Sequence, residues 1–412
     1  MKVRYALQQR RQDRSRKWVP FIAGATLAGL LFAGISFAPK ADIAAAARPS
    51  PTPTTPTPTP TPTGIYSPPP SITSDCSVSV TAGLSSWLAT VPDLATISFP
   101  AGACYRIDET FTIRERTGLT FEGNGAIFRA VTDGLEHPDP RNRAHWRLLH
   151  VTDIVVRNLR IEGPNENGSE ISFLEAQHAF DINGGVRVTL SSVSVEEVFG
   201  DGVHVSRGLG TKDKPLPPRD SEDVLVADSS FEVLGRQGFA VTSARRATFR
   251  GNEVSGVQRS AVDIEPRTGT NVIEDILIDS NDFSDYELYM VAGGGACTSV
   301  FRNVSIVGNT AEGFGPRLGK IGCPHRQNLV IESNTITVPS SNVNQGILAV
   351  KWSGVSVRFN TFALEDPIPG VEFQSSSGNL IVQNNLFCGA SAAYVADAAT
   401  GPVSSSGNTL NC

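Results

Sequence analysis

A short phrase recurs through the second half of the chain, and it constrains the fold more than any other feature. Each copy has two alternating apolar residues, two small or polar residues, an asparagine, any residue and an apolar residue. The copies are ATFRGNEV, ILIDSNDF, VSIVGNTA, LVIESNTI, VSVRFNTF and LIVQNNLF, with a final SSSGNTL. Their asparagines, 23–29 residues apart, are Asn252, Asn281, Asn309, Asn334, Asn360, Asn385 and Asn408. A repeat of this length predicts an array of stacked structural units.

Each repeat contains stretches that predict strands and none that predicts a helix. Apolar residues alternate before each asparagine, and they alternate again in a second stretch such as 262–264. Alternation marks β-strands, and asparagine tolerates the left-handed backbone of the turn that ends them. Leucine-rich repeats have a similar period, but their leucine framework is missing. We therefore predict a parallel β-helix with one coil per repeat and an asparagine ladder along an inner corner. Ser191 and Ser229 take the ladder position in two earlier coils.

The N-terminus is interpreted as an export device. Residues 1–18 are basic, and segment 19–38 is apolar, uncharged and long enough to cross a bilayer. This segment is either a signal peptide or a signal-anchor helix, and no other membrane contact is expected. Residues 39–70 form a Pro/Thr-rich linker, which favours an extended conformation. The β-helix domain is predicted over 71–412, secreted or anchored to the outer face of the cytoplasmic membrane.

All six cysteines lie beyond the linker. An even count in an exported chain indicates disulfides rather than metal ligation, and no C-x-x-C is present. Neighbouring cysteines within three pairs are 24–28 residues apart, which is about one coil. This spacing predicts Cys76–Cys104, Cys297–Cys323 and Cys388–Cys412, each joining adjacent coils.

The charge distribution excludes nucleic acid as a partner. The whole chain carries −6. Residues 1–18 hold seven basic residues and one acidic residue, which gives +6, so the remainder carries −6 − 6 = −12. Proteins that bind nucleic acid present basic faces instead. Charged residues make up only 18% of the chain, which also excludes a coiled coil.

Residues 84–130, LSSWLATVPDLATISFPAGACYRIDETFTIRERTGLTFEGNGAIFRA, resemble the opening of pectate-lyase-like right-handed β-helix proteins. The matching parts are a capping helix at 84–90, a first strand and turn at 98–107, and a further coil at 121–128. The resemblance implies an all-β, right-handed parallel β-helix with a short N-terminal capping helix. This superfamily includes lyases, glycosidases, epimerases, tailspikes and non-catalytic adhesins, so the fold alone does not determine an activity.

The chain departs from two named patterns within that superfamily. GDGVHV only faintly echoes the first polygalacturonase motif, and RQGFAV stands where that family has a double aspartate. The calcium-binding aspartate cluster typical of pectate lyases is not recognisable. The sequence therefore predicts no cofactor and no metal ligand set, and calcium stays open.

Four consecutive coils align polar side chains on one outer face. Their second strands are QHAFDIN (177–183), GDGVHVS (200–206), RQGFAVT (236–242) and RSAVDIE (259–265), stacked roughly 4.8 Å apart. One outward column contains Asp181, His204, Ala240 and Asp263, and the next contains Asn183, Ser206, Thr242 and Glu265. Small residues form a shallow floor, with His178, Asp201, Arg236 and Arg259 beyond it. We interpret this patch as a sugar-binding groove.

Two reaction classes fit the groove. In a polysaccharide lyase, a base removes the proton α to a uronate carboxylate while a cation stabilises the developing charge. His204 or an arginine would be the base, and Arg236 and Arg259 would bind the substrate carboxylate.

In a glycosidase, two carboxylates flank the bond at about 5–5.5 Å or 6.5–9.5 Å. Asp181 and Asp263 are too far apart for this, at roughly 14 Å by the coil spacing. The pairs Asp181 with Asp201 and Asp263 with Glu265 remain as candidates.

Two loops are candidate walls of the groove. The insertion 133–147 contains Trp146, which either stacks on a sugar ring or packs into the cap. The loop 207–219 would form the opposite wall. Besides Arg236 and Arg259, the predicted substrate contacts are Trp146 and His178.

The leading interpretation is an exported carbohydrate-active β-helix protein. It would be a polysaccharide lyase or a glycoside hydrolase acting on an acidic polysaccharide. The alternative is a non-catalytic cell-surface module that binds glycan. The polar columns favour the enzyme, whereas the missing family signature favours the binder.

Overall fold

The strands of the protein stack as coils of a parallel β-helix. The computed structural model describes residues 64–136, 142–210, 214–298, 300–340, 344–410 and 412. Each coil passes through three faces in chain order, named here the first, second and third face. Strands on these faces pair in parallel with the next coil, and the antiparallel pairing among the described residues is a hairpin formed by Gly208–Gly210 and Pro215–Arg219.

The first face carries the longer strands of the coils. They are Ile65–Tyr66, Thr96–Ser98, Thr120–Arg129, Thr152–Glu162, Val186–Ser191, Ser221–Ala227, Ala244–Arg250, Val272–Asp279, Val300–Val307, Arg326–Glu332, Trp352–Arg358, Ser377–Gln383 and Val403–Ser406. Because Ile65–Tyr66 pairs with Thr96–Ser98, β structure begins before the predicted boundary at residue 71.

The second face carries short strands that follow a tight corner. They are Asp75–Ser79, Cys104–Arg106, Ser194–Glu196, Ser230–Glu232, Glu253–Ser255, Asp282–Phe283, Thr310–Glu312, Thr335–Val338, Thr361–Leu364 and Leu386–Cys388. Strands Thr120–Arg129 and Thr152–Glu162 continue from the first face into the second.

The third face is an 11-stranded sheet. Its strands are Phe111–Arg114, Trp146–Leu149, Phe180–Asn183, Val203–Ser206, Phe239–Val241, Val262–Ile264, Val291–Gly293, Arg317–Gly319, Ile347–Val350, Pro369–Gln374 and Ala392–Ala396. Their inward side chains join those of the other faces in one apolar core. This sheet carries the predicted polar columns on its outer side.

The predicted asparagine ladder is confirmed at the corner between the first and second faces. From Asn281 to Asn408, the Oδ1 of each asparagine accepts the backbone N–H and the Nδ2–H of the asparagine one coil earlier, at 2.9–3.0 Å. The asparagines from 252 to 385 are at most 2% exposed. Each buried amide is thus satisfied by its neighbours, which removes the cost of burying it.

Two details of the predicted ladder are wrong. The left-handed backbone falls on the residue before each asparagine, for example Gly251 (φ 63°) and Ser280 (φ 55°), and not on the asparagine itself. Ser229 does occupy the ladder position, because its N–H donates to Asn252 Oδ1. One coil earlier, however, the position belongs to Val193, whose N–H donates to Ser229 Oγ, and not to Ser191.

The predicted capping helix and the predicted disulfides are all present in the structure. The α-helix Thr81–Leu88 begins and ends slightly before the predicted 84–90, and it buries Leu84 and Leu88 in the core. The three predicted disulfides, Cys76–Cys104, Cys297–Cys323 and Cys388–Cys412, are all formed. Disulfides of this kind are typical of proteins outside the reducing cytosol.

The described residues include no helix with the length and apolar character needed to cross a membrane. The predicted basic segment 1–18 and apolar segment 19–38 lie outside these residues, as does most of the linker 39–70.

Candidate active site

The register of the third face places the predicted polar column as expected. His204 lies beside Asp181 on one side and Ala240 on the other, and Ala240 lies beside Asp263. The column also extends one coil further toward the N-terminus than predicted, because Arg147 lies beside Asp181.

Arg147, Asp181 and His204 form a hydrogen-bonded triad across three consecutive coils. Arg147 Nε donates to Asp181 Oδ2 at 2.9 Å, and Asp181 Oδ1 lies 3.0 Å from His204 Nδ1. Asn183 Nδ2 also donates to Asp181 Oδ1, at 2.5 Å. The opposite nitrogen of the imidazole, His204 Nε2, lies 3.4 Å from Thr242 Oγ1. The aspartate therefore orients the imidazole and leaves Nε2 without a charged partner.

A second triad, formed by Arg236, Asp201 and His178, interleaves with the first. Arg236 Nε donates to Asp201 Oδ1 at 3.2 Å. His178 Nδ1 lies 3.0 Å from Asp201 Oδ2 and 3.1 Å from the Asp201 backbone nitrogen, so its tautomer decides whether it donates to the first or accepts from the second. The aspartate of each triad lies in the same coil as the histidine of the other triad. Asp181 shares a coil with His178, and Asp201 shares a coil with His204.

The two imidazoles stack on each other. Their ring centroids are 4.4 Å apart, and their planes meet at 23°. His178 is 2% exposed and His204 is 5% exposed. Two proton-accepting groups therefore lie side by side, and each is held at Nδ1 by its own carboxylate.

Electrostatics assign different charge states to the members of the triads. Burial alone would raise the pKa of Asp181, but the hydrogen bond and charge of His204, together with Arg147, hold the pKa well below its usual value. Burial likewise opposes the effect of His178 and Arg236 on Asp201, whose pKa is also well below normal. Burial and the charge of His178 lower the pKa of His204, although Asp181 opposes them. At neutral pH both carboxylates are ionised and the His204 imidazole is neutral.

A cleft of about 800 Å³ opens over this part of the third face. The described residues that line it include both imidazoles and the side chains of four arginines, Arg114, Arg147, Arg207 and Arg267. Asp181 is the one carboxylate among those lining residues. Arg114, Arg147 and Arg207 are paired with Glu115, Asp181 and Asp220, whereas Arg267 has no ion pair among the described residues. Arg267 therefore supplies uncompensated positive charge to the cleft, although the chain as a whole is acidic.

Two loops form the walls of the cleft. Part of the hairpin lines it, and Arg207 at its base is bound to Asp220 by two hydrogen bonds of 2.8 and 3.1 Å. Residues 267–271 contribute to the lining with Arg267, Thr268, Thr270 and Asn271. The predicted wall at 207–219 thus borders the cleft, whereas the wall at 267–271 has no signal in the sequence.

The remaining predicted site residues lie outside the residues that line the cleft. Asp263 is 9% exposed and accepts a hydrogen bond from Gln237 at 3.2 Å. Burial, together with the charges of Glu265 and Asp201, raises the pKa of Asp263 to about 7. Glu265 itself is exposed. Asp181 and His204 of the predicted column therefore line the cleft, whereas the acidic residues Asp263 and Glu265 lie outside it.

The two arginines predicted to bind a substrate carboxylate already have carboxylate partners. Arg236 is paired with Glu175 as well as with Asp201. Arg259 Nη1 donates to Glu170 Oε1 at 2.7 Å. Arg267 has no ion pair among the described residues, and its charge contributes to the low pKa of His204. Arg267 is thus better placed than either predicted arginine to meet an anionic ligand in the cleft.

The prediction that Trp146 stacks on a sugar is wrong. Its side chain is fully buried and makes edge-on contacts with Phe111, Phe121 and Phe128, at centroid distances of 5.0, 5.3 and 4.8 Å. Trp146 and Arg147 begin a strand, so they point to opposite sides of the sheet. The alternation in WRLL was a usable signal, and it would have identified Arg147 as the outward residue.

His178, Asp181 and His204 are also the described residues whose ligand atoms lie within 4.8 Å of one another, as a metal site requires. A metal ion lies in the plane of each imidazole that binds it, about 2.0–2.1 Å from the nitrogen for zinc. Two stacked rings 4.4 Å apart cannot both contain one such ion in their planes without a rotation of a ring. The stacked arrangement therefore fits proton transfer better than metal ligation.

Comparison with known proteins identifies the fold. Residues 152–362 match the family model described as right handed beta helix region. No curated protein sequence matches the chain. The A-module of mannuronan C-5 epimerase AlgE6 from Azotobacter vinelandii is similar in structure, with a TM-score of 0.56 and 15% identity over 84% of this chain and 99% of the module.

Two further solved structures illustrate the range of similar proteins. The catalytic domain of Agl-KA has a TM-score of 0.62 and 14% identity, covering 82% of this chain and 63% of that one. A variant tailspike protein of E. coli bacteriophage HK620 in complex with a pentasaccharide has a TM-score of 0.57 and 11% identity, covering 83% and 64%. At such identities the similarity establishes the fold alone.

Proposed function

The chain belongs to the right-handed β-helix family, and on that premise we propose that it is an exported polysaccharide lyase that acts on a uronate-containing polysaccharide. The observation that carries this proposal is the neutral, aspartate-oriented imidazole of His204 in a cleft rich in arginine. Such a group is suited to remove a proton from carbon, because its imidazole is unprotonated at neutral pH and is oriented by a carboxylate.

His204 is the proposed general base, with Nε2 as the accepting atom. Asp181 fixes the tautomer by accepting from Nδ1, at 3.0 Å, and stabilises the imidazolium that forms. Arg147 keeps Asp181 ionised, because protonating the aspartate would leave the guanidinium without its partner. In this scheme Asp181 and Arg147 position the base and do not exchange protons with substrate.

The positive lining of the cleft favours an anionic sugar. Removing the proton at C-5 of a uronate places negative charge on the adjacent carboxylate, which needs a nearby cation to stabilise it. Arg267 is the proposed partner for that carboxylate, since it lines the cleft and has no ion pair among the described residues. The guanidinium of Arg147, on the opposite side of His204 in the coil order, is the second candidate.

Hydrolysis by a pair of carboxylates is less well supported. It needs two carboxyl groups facing one bond, whereas Asp181 is the one carboxylate among the described lining residues. Asp201, Asp263 and Glu265 lie outside that lining. The glycosidase pairs suggested by the sequence therefore lack a shared cleft.

Similar proteins are compatible with the proposal. The Azotobacter protein is named as a C-5 epimerase of mannuronan, and both an epimerase and a lyase begin by removing the C-5 proton of a uronate. The bacteriophage tailspike was solved with a bound pentasaccharide. The three disulfides fit an extracellular location, whether the protein is released or remains anchored through segment 19–38.

The test is incubation of the purified protein with a panel of uronate-containing and neutral polysaccharides. A lyase releases an unsaturated uronate, which is detected by its ultraviolet absorbance. New reducing ends without that absorbance would indicate hydrolysis and contradict the proposal. Hydrogen exchange at C-5 in deuterated water without chain cleavage would indicate epimerisation, and binding without any chemistry would indicate an adhesion module.

A further inference from the structure

The second histidine of the cleft is not used by the mechanism above. His178 lines the same cleft as His204 and stacks on it, with ring centroids 4.4 Å apart. Its Nδ1 lies against Asp201, which Arg236 holds from the other side, so the second triad repeats the geometry of the first. Its Nε2 has no partner among the described residues. Abstraction of a single proton needs only one oriented imidazole, so the second imidazole is available for another role.

We propose that His178 is the general acid of the reaction and that it works with His204 from the same side of the sugar. The substrate is then a manno- or gluco-configured uronate. This inference rests on the proposed lyase function and adds to it a catalytic residue, a stereochemical course and a substrate class. It depends on the stacking of the two rings and on their shared position in the cleft.

His204 Nε2 takes the proton from C-5, and the electron pair of that C–H bond forms the C-4=C-5 double bond. The C-4–O-4 bond breaks, and O-4 takes a proton from His178 Nε2. The products are an unsaturated uronate and a sugar with a free hydroxyl group. Afterwards His204 carries the extra proton and His178 lacks one, so a transfer between the adjacent rings or through solvent restores both.

Charge supports this division of roles. The positive charge of His178 is one of the causes that lower the pKa of His204. Two stacked imidazoles resist carrying two charges, just as two neighbouring carboxylates resist it. A proton on one ring therefore disfavours a proton on the other, which suits a pair that acts as acid and base.

The stereochemical consequence follows from the placement of the two rings. His204 lies in a strand of the third face, and His178 lies just before the strand with which it pairs, Phe180–Asn183. Both imidazoles line the same cleft and stack on each other, so a sugar in the cleft meets both from one side. Such a pair can remove H-5 and protonate O-4 only if the two lie on the same side of the sugar ring. They do in D-mannuronate and D-glucuronate, whereas in D-galacturonate and L-guluronate they lie on opposite sides.

The first experiment compares four polymers with the full-length protein, namely polymannuronate, polyglucuronate, polygalacturonate and polyguluronate. We expect unsaturated product from at least one of the first two and at least tenfold slower release from the last two. Faster cleavage of polygalacturonate or polyguluronate would overturn the same-side assignment while leaving the lyase proposal intact. No product from any of the four would overturn the lyase proposal and this inference with it.

The second experiment separates an acid from a merely positioning residue. His178→Ala is compared with His204→Ala on the best polymer and on a synthetic uronate whose O-4 carries 4-nitrophenol, a leaving group that needs no proton. On the polymer both variants should lose about 10²–10⁴-fold in kcat. On the activated substrate only His204→Ala should remain impaired. His325→Ala, at an exposed histidine outside the cleft, is the matched control. An equal loss by His178→Ala on both substrates would contradict the role of acid.

Discussion

The coils that carry the asparagine ladder and the coils that carry the cleft use their buried polar groups in opposite ways. In the ladder, each side-chain amide between Asn252 and Asn408 is hydrogen-bonded to its neighbours in the adjacent coils. In the cleft coils the same corner holds Val193 and Ser229, and the polar side chains stand on the outer third face instead. There a carboxylate holds each imidazole at Nδ1, which leaves Nε2 without a charged partner and available for chemistry.

This contrast teaches where function can arise in a repetitive fold. A ladder in which every donor meets an acceptor stabilises the coil but offers nothing to a ligand. A triad orients its histidine with a carboxylate and still exposes one nitrogen. The four predictions below test the contrast, from the largest expected effect to the smallest.

The largest effect is expected from His204→Ala in the cleft coils. Removing the base should lower kcat by about 10²–10⁴-fold. The fold should persist, because Asp181 keeps its bonds from Arg147 and Asn183. The measurement is the rate of unsaturated product formation, paired with thermal unfolding of the same samples and of His325→Ala. Loss of activity that merely follows loss of folded protein would break the contrast, because the triad would then be structural.

The second prediction concerns Asp263, which lies where the cleft coils meet the ladder coils. Its carboxyl has a pKa raised to about 7 in the folded protein, against about 3.9 when unfolded. Between these values the folded state binds the extra proton, so its stability falls as pH rises from about 4 to about 7. Asp263→Asn removes this dependence and should be more stable than the wild type at pH 8, by up to about 4 kcal/mol, and similar to it near pH 4.

Urea unfolding of both proteins across this pH range measures the effect. Glu265→Gln serves as the comparison, because it removes the neighbouring charge that raises the pKa of Asp263 but leaves the buried carboxyl in place. We expect it to recover only part of the gain. Identical pH profiles for wild type and Asp263→Asn would mean that this carboxyl is ionised in the folded state at no cost.

The sequence was sufficient for the fold because a period repeated many times is a strong signal. The asparagine spacing led to the ladder, and the cysteine spacing led to three correct disulfides. The alignment of four coils also placed Asp181, His204, Ala240 and Asp263 in one column. Each of these conclusions depends on register between coils, which the period alone determines.

The sequence was insufficient for the cleft because its walls and partners do not follow the period. Arg267 belongs to a loop with no counterpart in other coils, and Arg236 and Arg259 meet glutamates that lie far away in the chain. Trp146 was misassigned because an insertion hid the start of its strand. Loops therefore determine which residues of the outward column face the cleft. The loops do not repeat with the period of the coils, so the sequence repeat does not reveal them.

The third prediction breaks the ladder coils and leaves the cleft intact. Asn309→Ala removes the buried acceptor for the backbone N–H and Nδ2–H of Asn281. It also removes the Nδ2–H that donates to Asn334 Oδ1, whereas the backbone N–H of residue 309 still donates there. Leaving these groups unsatisfied should cost about 2–3 kcal/mol of unfolding free energy. Denaturant unfolding measures the loss, and kcat per folded molecule should stay at the wild-type value.

The matched control for this variant is Asn344→Ala, at an exposed asparagine outside the ladder. It should change the unfolding free energy by less than about 0.5 kcal/mol. Equal costs for the two variants would show that the ladder adds no stability beyond ordinary surface asparagines.

The smallest effect is expected from extending the ladder into the cleft coils with Ser229→Asn. The serine already accepts from the Val193 N–H and donates its own N–H to Asn252 Oδ1, so its backbone occupies the ladder position. An asparagine there should keep the first bond through Oδ1 and add an Nδ2–H bond to Asn252. One added buried hydrogen bond is worth about 1 kcal/mol, measurable by denaturant unfolding. Because the corner lies between the first and second faces, kcat should not change. A loss of stability would instead mean that the cleft coils have a tighter corner than the ladder coils, and that this corner, rather than the outer face alone, distinguishes the two regions.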